Sequence, residues 1–124
     1  YGSTETGLLT CHQSDRFDLE TVGHWMRAHP EAGPPLEWRV SPDGELQIRG
    51  GSPFLGYYRR EGSVESKVKD GWFHTGDAVT RTDRGELVFL ERLSDLKRLR
   101  SGDTFPPQFV ETRLRFSPFI KDIM

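Results

Sequence analysis

Cysteine is almost missing from this sequence, and neither sign of charge is in large excess. Cys11 is the single cysteine among 124 residues, so no disulfide can form within the chain, and a reducing cytosol is the expected compartment. The 17 basic and 19 acidic residues give a formal charge of −2. Because no basic stripe is present, nucleic acid is excluded as an expected partner.

Long hydrophobic runs are missing as well. No segment approaches the roughly 20 apolar residues that span a bilayer, and no secretory signal is recognisable. Nothing in the segment indicates association with a membrane. An initiator Met is also lacking, and the chain closes on the apolar-rich run 119–124. We therefore expect an internal fragment of a longer polypeptide.

What is present predicts a mainly β structure. Residues 36–40 and 45–49 alternate apolar and polar side chains around a Pro-Asp-Gly turn, which predicts a β-hairpin. Residues 77–80 and 86–90 predict a second hairpin. Alternate strand positions supply the core candidates, which are Trp38, Leu46, Ile48, Leu87 and Phe89.

The last third of the chain adds a hairpin and a helix. Residues 94–105 are expected to fold back around Ser101-Gly102-Asp103, and a helix is expected to begin at Pro106-Pro107. Phe109, Val110 and Leu114 would form its buried side. The predicted fold class is mainly β with an α+β tail.

Three polar motifs carry the candidate chemistry. In Tyr1-Gly2-Ser3-Thr4-Glu5-Thr6, a ring could stack on a base, hydroxyls could meet phosphate oxygens, and a carboxylate could bind a hard cation. Read alone, this motif is more simply interpreted as a Gly/Ser/Thr turn.

The second motif is Asp70-Gly71-Trp72-Phe73-His74-Thr75-Gly76-Asp77. Its final carboxylate could accept two hydrogen bonds from a ribose diol, although a capped turn explains it as well. His74 is disfavoured as a base, because no partner acid is evident from the sequence.

The third motif runs from Glu91-Arg92-Leu93-Ser94-Asp95-Leu96 to Ser101-Gly102-Asp103-Thr104-Phe105-Pro106-Pro107. An Arg placed after a strand could bond a ribose or a phosphate. A solvated surface turn is the simpler reading of this motif alone.

In this order and spacing, the motifs resemble the adenylate-forming superfamily of acyl-CoA synthetases, peptide-synthetase adenylation domains and firefly luciferase. The first resembles its Tyr-Gly-x-Thr-Glu motif, and residues 70–77 are similar to its DGW-(F/L)-x-TGD motif. Residues 45–58 and 91–111 match two further family motifs, and the resemblance covers nearly the whole chain.

The resemblance implies an ATP-dependent ligase that converts a carboxylate into an acyl-adenylate and then transfers the acyl group to CoA. Tyr1 would stack on adenine, and Thr4 would contact phosphate and hold the acyl-adenylate. Glu5 would bind Mg²⁺. Asp77 would bind the ribose hydroxyls, and Arg92 would reach the same sugar. ATP, Mg²⁺ and CoA are therefore the implied cofactors and co-substrates, and the rest of the parent polypeptide is the implied partner.

The resemblance also implies a domain division. Residues 1–93 would end the N-terminal AMP-binding domain as a small distorted antiparallel β-barrel, and residues 94–124 would begin the mobile C-terminal domain. Ser94 would occupy the hinge, where the family commonly has Asp or Lys. Gly102 would lie on the CoA side. Glu91 departs from the family's usual Gly.

Substrate and acceptor are less defined. Residues 117–120 resemble the long-chain fatty acyl subgroup, so a long-chain fatty acid–CoA ligase is expected. A carrier-loading adenylation domain and a non-catalytic β-rich binding module are the alternatives. The family's phosphate loop and its C-terminal catalytic Lys are both absent from these residues, so the chain alone is expected to be inactive.

Overall fold

The computed structural model describes residues 1–3, 6–12, 18, 20–25, 36–50 and 67–123. In these ranges short and long strands precede a single helix, α1 (Pro107–Arg115). The strands are β1 (Gly2–Ser3), β2 (Gly7–Leu8), β3 (Thr10–Cys11), β4 (His24–Trp25), β5 (Glu37–Val40), β6 (Glu45–Arg49), β7 (Val68–Lys69), β8 (Trp72–Arg81), β9 (Leu87–Arg92), β10 (Lys97–Arg98) and β11 (Thr104–Phe105).

The first hairpin forms where the alternation predicts it. Strands β5 and β6 pair antiparallel, with Trp38 opposite Ile48 and Val40 opposite Leu46. The turn closes through the Gly44 N–H, which donates to the Ser41 carbonyl oxygen at 2.9 Å. A Pro-Asp-Gly turn suits this geometry, because the ring of proline presets φ at the first turn position.

Strand β8 is at the centre of a five-stranded antiparallel sheet. Strand β6 pairs with one edge of β8, and β7 and β9 lie end to end along its other edge. The predicted second hairpin is the pair β8–β9, and its turn closes where the Gly85 N–H donates to the Thr82 carbonyl oxygen at 2.9 Å.

The β6–β8 ladder is irregular near its end. Glu45 lies opposite Ala78 and Gln47 lies opposite His74, so residues 75–77 of β8 face only one residue of β6. Extra residues of this kind form a bulge, which bends the strand and turns a side chain in a new direction. We call residues 75–77 the β8 bulge.

The core lies on one face of this sheet and extends to the short N-terminal strands. Its fully buried members are Leu9, Leu46, Ile48, Val79 and Leu87. Trp38 and Phe89 are partly buried against this cluster, so all five core candidates take part in it. At about 25 cal/mol per Å² of apolar surface, burial of these side chains is the main contribution to the stability of the sheet.

The C-terminal part follows the predicted order. After β9, a 3₁₀ turn spans Leu93–Asp95, and β10 then pairs with β11 as the third hairpin. Helix α1 begins at Pro107, and its first-turn prolines satisfy the expected start. One expectation is wrong: Leu114 is 41% exposed, because the helix contacts the sheet through the side that carries Phe109 and Val110, which are half-buried.

The predicted fold class is confirmed as mainly β with one helix. Within the described ranges, no helix is both long enough and apolar enough to cross a membrane.

Candidate functional site

The β8 bulge presents Asp77. Gly76 has a φ of +74°, a left-handed conformation that glycine adopts at little cost. The Thr75 hydroxyl donates to the Leu46 carbonyl oxygen at 2.7 Å and accepts from the Asp77 N–H at 3.1 Å. These contacts fix the backbone on both sides of Gly76 and set the direction of the Asp77 side chain.

Three predicted site residues meet at Asp77. Asp77 lies opposite Arg92 in the β8–β9 ladder, and Arg92 Nη1 is 2.7 Å from Asp77 Oδ1. The Tyr1 hydroxyl donates to Asp77 Oδ2. We call these three residues the Asp77 cluster. Tyr1 therefore reaches a carboxylate that lies 76 positions away in the sequence.

The Asp77 cluster has one buried charge and one solvated charge. The side chain of Asp77 is 7% exposed and that of Arg92 is 60% exposed. Arg92 Nη1 donates its hydrogen bond to the Thr75 carbonyl oxygen at 3.2 Å, and none of the described residues aligns a donor with Asp77 Oδ1. Buried carboxylate oxygens normally accept hydrogen bonds, so Oδ1 can still accept one from a ligand hydroxyl.

Tyr1 is held as a neutral phenol. Burial raises the pKa of its hydroxyl, and the hydrogen bond to the Asp77 carboxylate raises the pKa further. Two negative charges at this point would repel each other in a partly dry environment. The group therefore acts as a hydrogen-bond donor to Asp77 across the physiological pH range.

The position of Tyr1 is fixed by its backbone and its ring. Its carbonyl oxygen accepts from the N–H groups of Leu9 and Thr10 at 2.9 and 3.1 Å. Its ring stacks on Phe89 with centroids 6.0 Å apart. Gly2 follows at a close approach to the Gly7 carbonyl oxygen, where any added Cβ would clash. These contacts direct the hydroxyl at β8.

Curated proteins resemble the chain over nearly its whole length. The chain is 35% identical over 121 residues to the long-chain-fatty-acid–CoA ligase FadD15 of Mycobacterium bovis, an alignment that covers 97% of the chain and 19% of the relative. It is 33% identical over 126 residues to the 2-succinylbenzoate–CoA ligase of Bacillus cytotoxicus, which covers 92% of the chain and 25% of that relative. No protein-family model matches the chain.

A solved structure supports the same assignment. Apo MatB from Rhodopseudomonas palustris superposes with a TM-score of 0.70 at 27% identity, over 95% of this chain and 25% of that one. The chain belongs to the adenylate-forming superfamily. It spans about a fifth to a quarter of the length of the curated relatives it matches.

The residues predicted for the hinge and the CoA side both lie in local turns. Ser94 lies exposed in the 3₁₀ turn directly after β9, with its hydroxyl 3.1 Å from Asp95 Oδ1. Gly102 is exposed in the β10–β11 turn. Neither shares a hydrogen bond with the Asp77 cluster among the residues described. Thr4 and Glu5 lie outside those residues.

No partner acid for His74 is evident from the sequence, but the structure contains one. His74 Nδ1 lies 2.7 Å from Glu45 Oε2, so the partner acid exists on the adjacent strand β6. Glu45 and His74 are separated by an intervening segment, and only the sheet register brings them together. Thr75 was not predicted as a site residue, although it is the Thr of the DGW-(F/L)-x-TGD motif.

Proposed function

We propose that this chain is part of an AMP-forming acyl-CoA ligase. In the first step, a carboxylate oxygen of the acid attacks the α-phosphorus of ATP and pyrophosphate leaves. In the second, the CoA thiol attacks the acyl carbon and AMP leaves. The chain supplies the nucleoside end of the ATP site, and the remaining groups come from the rest of the parent polypeptide.

The observation that carries this proposal is the Asp77 cluster. A ribose offers two neighbouring hydroxyls, and a buried carboxylate beside an arginine can accept from both while the arginine offsets its charge. Arg92 reaches the same sugar from the solvent side. A capped turn, the alternative for the second motif, does not explain why the residue Asp77 is 5% exposed and ion-paired with Arg92.

Two of the proposed roles extend beyond the described residues. Thr4 would contact phosphate, and Glu5 would hold Mg²⁺, which would offset charge on the phosphate oxygens. The ring of Tyr1 would stack on adenine. The geometry of Asp77 and Arg92 supports the sugar contacts.

The proposed domain division falls after β9. Residues 1–93 would complete the AMP-binding domain and residues 94–124 would begin the mobile domain, with Ser94 as the hinge. The 3₁₀ turn at Leu93–Asp95 supports this boundary, because it ends the central sheet and changes the chain direction. Short turns of this kind can absorb a domain rotation.

The proposal is tested by removing the charge of Asp77 and the ribose hydroxyls separately. Calorimetry on the full-length polypeptide would measure the affinity for AMP and for 2′,3′-dideoxy-AMP. Asp77→Asn should weaken AMP binding about 10- to 100-fold, since hydrogen bonds to charged groups contribute about 1.5–3 kcal/mol. The same variant should bind the two ligands almost equally.

A matched control uses the exposed turn acid Asp103. Asp103→Asn changes the same chemical group away from the cluster and should leave both affinities unchanged. If wild-type protein already fails to distinguish AMP from its dideoxy analogue, Asp77 does not bind ribose and the site is wrong.

The identities of the acid substrate and of the thiol acceptor are tested separately, with a panel of candidate substrates. FadD15 is named for long-chain fatty acids and the Bacillus relative for 2-succinylbenzoate, so both classes belong in a pyrophosphate-release assay. We propose long-chain fatty acids as the preferred class, on the resemblance of residues 117–120. The named relatives favour CoA over a carrier protein as the acceptor.

A further inference from the structure

A buried polar cluster lies on the opposite side of β8 from Arg92. Glu45 of β6 is 7% exposed, and its carboxylate accepts three hydrogen bonds. Oε2 accepts from His74 Nδ1 at 2.7 Å and from Gln47 Nε2 at 3.1 Å. Oε1 accepts from the Gly76 N–H at 3.0 Å. We call Glu45, Gln47 and His74 the Glu45 cluster.

Of the three groups that donate to Glu45, the His74 side chain and the Gly76 N–H belong to β8. His74 lies immediately before the β8 bulge, and Gly76 lies within it. At a bulge the regular ladder leaves a backbone group without its strand partner, and a buried unpaired N–H is costly. Glu45 supplies the missing acceptor for Gly76. The next residue along the chain is Asp77, so the carboxylate of Glu45 fixes the peptide unit from which Asp77 projects.

We propose that Glu45, with His74, is a positioning residue for nucleotide binding, and that it acts by holding the β8 bulge in the shape that presents Asp77 to the ribose. This inference rests on the proposed function. Among the described residues, no hydrogen bond or ion pair joins Glu45 to Tyr1 or Arg92, and its carboxylate acts on the bulge through the Gly76 N–H and His74. A loss of its charge should therefore loosen Asp77 without removing any contact to the nucleotide.

Glu45 is anionic in the working enzyme. Burial raises the pKa of its carboxyl, but the hydrogen bonds from Gln47, the Gly76 N–H and His74 together lower the pKa below its ordinary value. The groups that face it are His74 on β8 and Gln47 on β6, and Arg39 of β5 donates to Gln47 Oε1 at 2.8 Å. Because the folded pKa is lowered, the stabilisation is present above about pH 4.3 and is lost as the pH falls through the folded value.

The test compares variants of the full-length polypeptide in AMP calorimetry. Glu45→Gln should weaken AMP binding about tenfold, because a charge-assisted hydrogen bond is replaced by weaker neutral ones. The Michaelis constants for the acid and for CoA should not change. Glu37→Gln is the matched control, since Glu37 on β5 makes an exposed ion pair with Arg49 at 2.5 Å and should leave AMP affinity unaltered.

His74 gives a second, independent arm that covers the case in which Glu45→Gln does not fold. Asn places an amide donor near the position of the imidazole Nδ1, so His74→Asn should keep near wild-type AMP affinity. His74→Ala should lose several-fold. Equal affinities of these two variants would overturn the positioning role.

Two further outcomes separate this inference from the proposed function. If Asp77→Asn loses AMP affinity while folded Glu45→Gln does not, the positioning role is wrong and the ribose site stands. If Asp77→Asn binds AMP normally, the ribose site fails and this inference fails with it. Unfolding free energies should also show a gap between wild type and Glu45→Gln that narrows below about pH 4.3, and a constant gap would contradict a role for the charge.

Discussion

At the scale of single residues, the notable feature is that the Asp77 carboxylate already has partners within the chain. One carboxylate oxygen accepts from the Tyr1 hydroxyl, and the other lies beside Arg92. A ribose that uses both oxygens has to replace the Tyr1 hydroxyl at Oδ2. Tyr1 therefore has two opposed effects on a nucleotide, because its ring offers a stacking surface while its hydroxyl competes for the acid.

Substitution of Tyr1 separates these effects. Tyr1→Phe keeps the ring and should tighten AMP binding about fivefold, since a competing hydrogen bond contributes about 1 kcal/mol. Tyr1→Ala removes the ring and should weaken binding about tenfold, in line with about 1–3 kcal/mol for base–aromatic stacking. AMP calorimetry on the two variants measures both. Equal losses in Tyr1→Phe and Tyr1→Ala would mean that the hydroxyl binds the nucleotide directly.

The members of the Asp77 cluster were predictable from the sequence. The residues that hold the β8 bulge, Glu45 and His74, were not predictable in that role. Asp77 and Arg92 stand in recognisable motifs, and the hairpin register sets them opposite each other. Glu45 was visible only as one polar position of an alternating strand. Its contact with His74 depends on how β6 meets β8 across a long intervening segment, and local patterns carry no information on that register.

At the scale of elements, helix α1 is anchored at two points, one on the sheet and one on the turn that carries Glu20. The Gln108 N–H in its first turn donates to Glu91 Oε2 at 2.8 Å, and Glu91 is 2% exposed. Near its end, Arg113 donates to the side chain and the backbone of Glu20, each at 3.2 Å. Pro106 at the N-cap gives no side-chain cap, so the carboxylate from β9 takes that function.

The Glu91 contact gives a prediction for the helix. Glu91→Ala should destabilise α1 by about 1 kcal/mol, the usual cost of losing an N-terminal cap. Hydrogen exchange at the Gln108 amide should quicken accordingly. Glu91→Gln should fall between Ala and wild type, because an amide oxygen can accept the bond but lacks the charge that the helix N-terminus favours. Unchanged protection at Gln108 in Glu91→Ala would show that the cap does not hold the helix.

The three hairpins and helix α1 were predictable, because each has a local signal. All three hairpins follow turn sequences, and α1 begins at its prolines. The exposure of Leu114 was not predictable, since helical periodicity defines an apolar side without stating which part of it meets the sheet. The β8 bulge had one local sign, Gly76, but a glycine in a strand does not reveal how many residues leave the register.

At the scale of the whole molecule, the chain holds only part of what an adenylation reaction needs. It spans 19% of FadD15 and 25% of the Bacillus ligase. Its described residues bring Asp77, Arg92 and Tyr1 together at the proposed ribose site. The sequence of 124 residues contains neither a Ser/Thr/Gly-rich phosphate loop with its Lys nor the family's C-terminal catalytic Lys. Binding and turnover should therefore separate.

The chain of 124 residues, assayed by itself, should show no acid-dependent release of pyrophosphate from ATP. The reason is physical: transition-state charge on the transferring phosphate is offset by groups placed around it, and a ribose contact holds the nucleotide without touching the reacting atoms. A pyrophosphate-release assay with long-chain fatty acids and 2-succinylbenzoate measures this, and the full-length polypeptide is the positive control. Circular dichroism of the same sample has to show a folded β-rich chain. A lack of pyrophosphate release can then be attributed to the missing catalytic groups and not to an unfolded protein. Acid-dependent turnover by the folded chain would mean that its own residues surround the phosphate, and the division of labour proposed for Asp77, Arg92 and the remaining segments would be wrong.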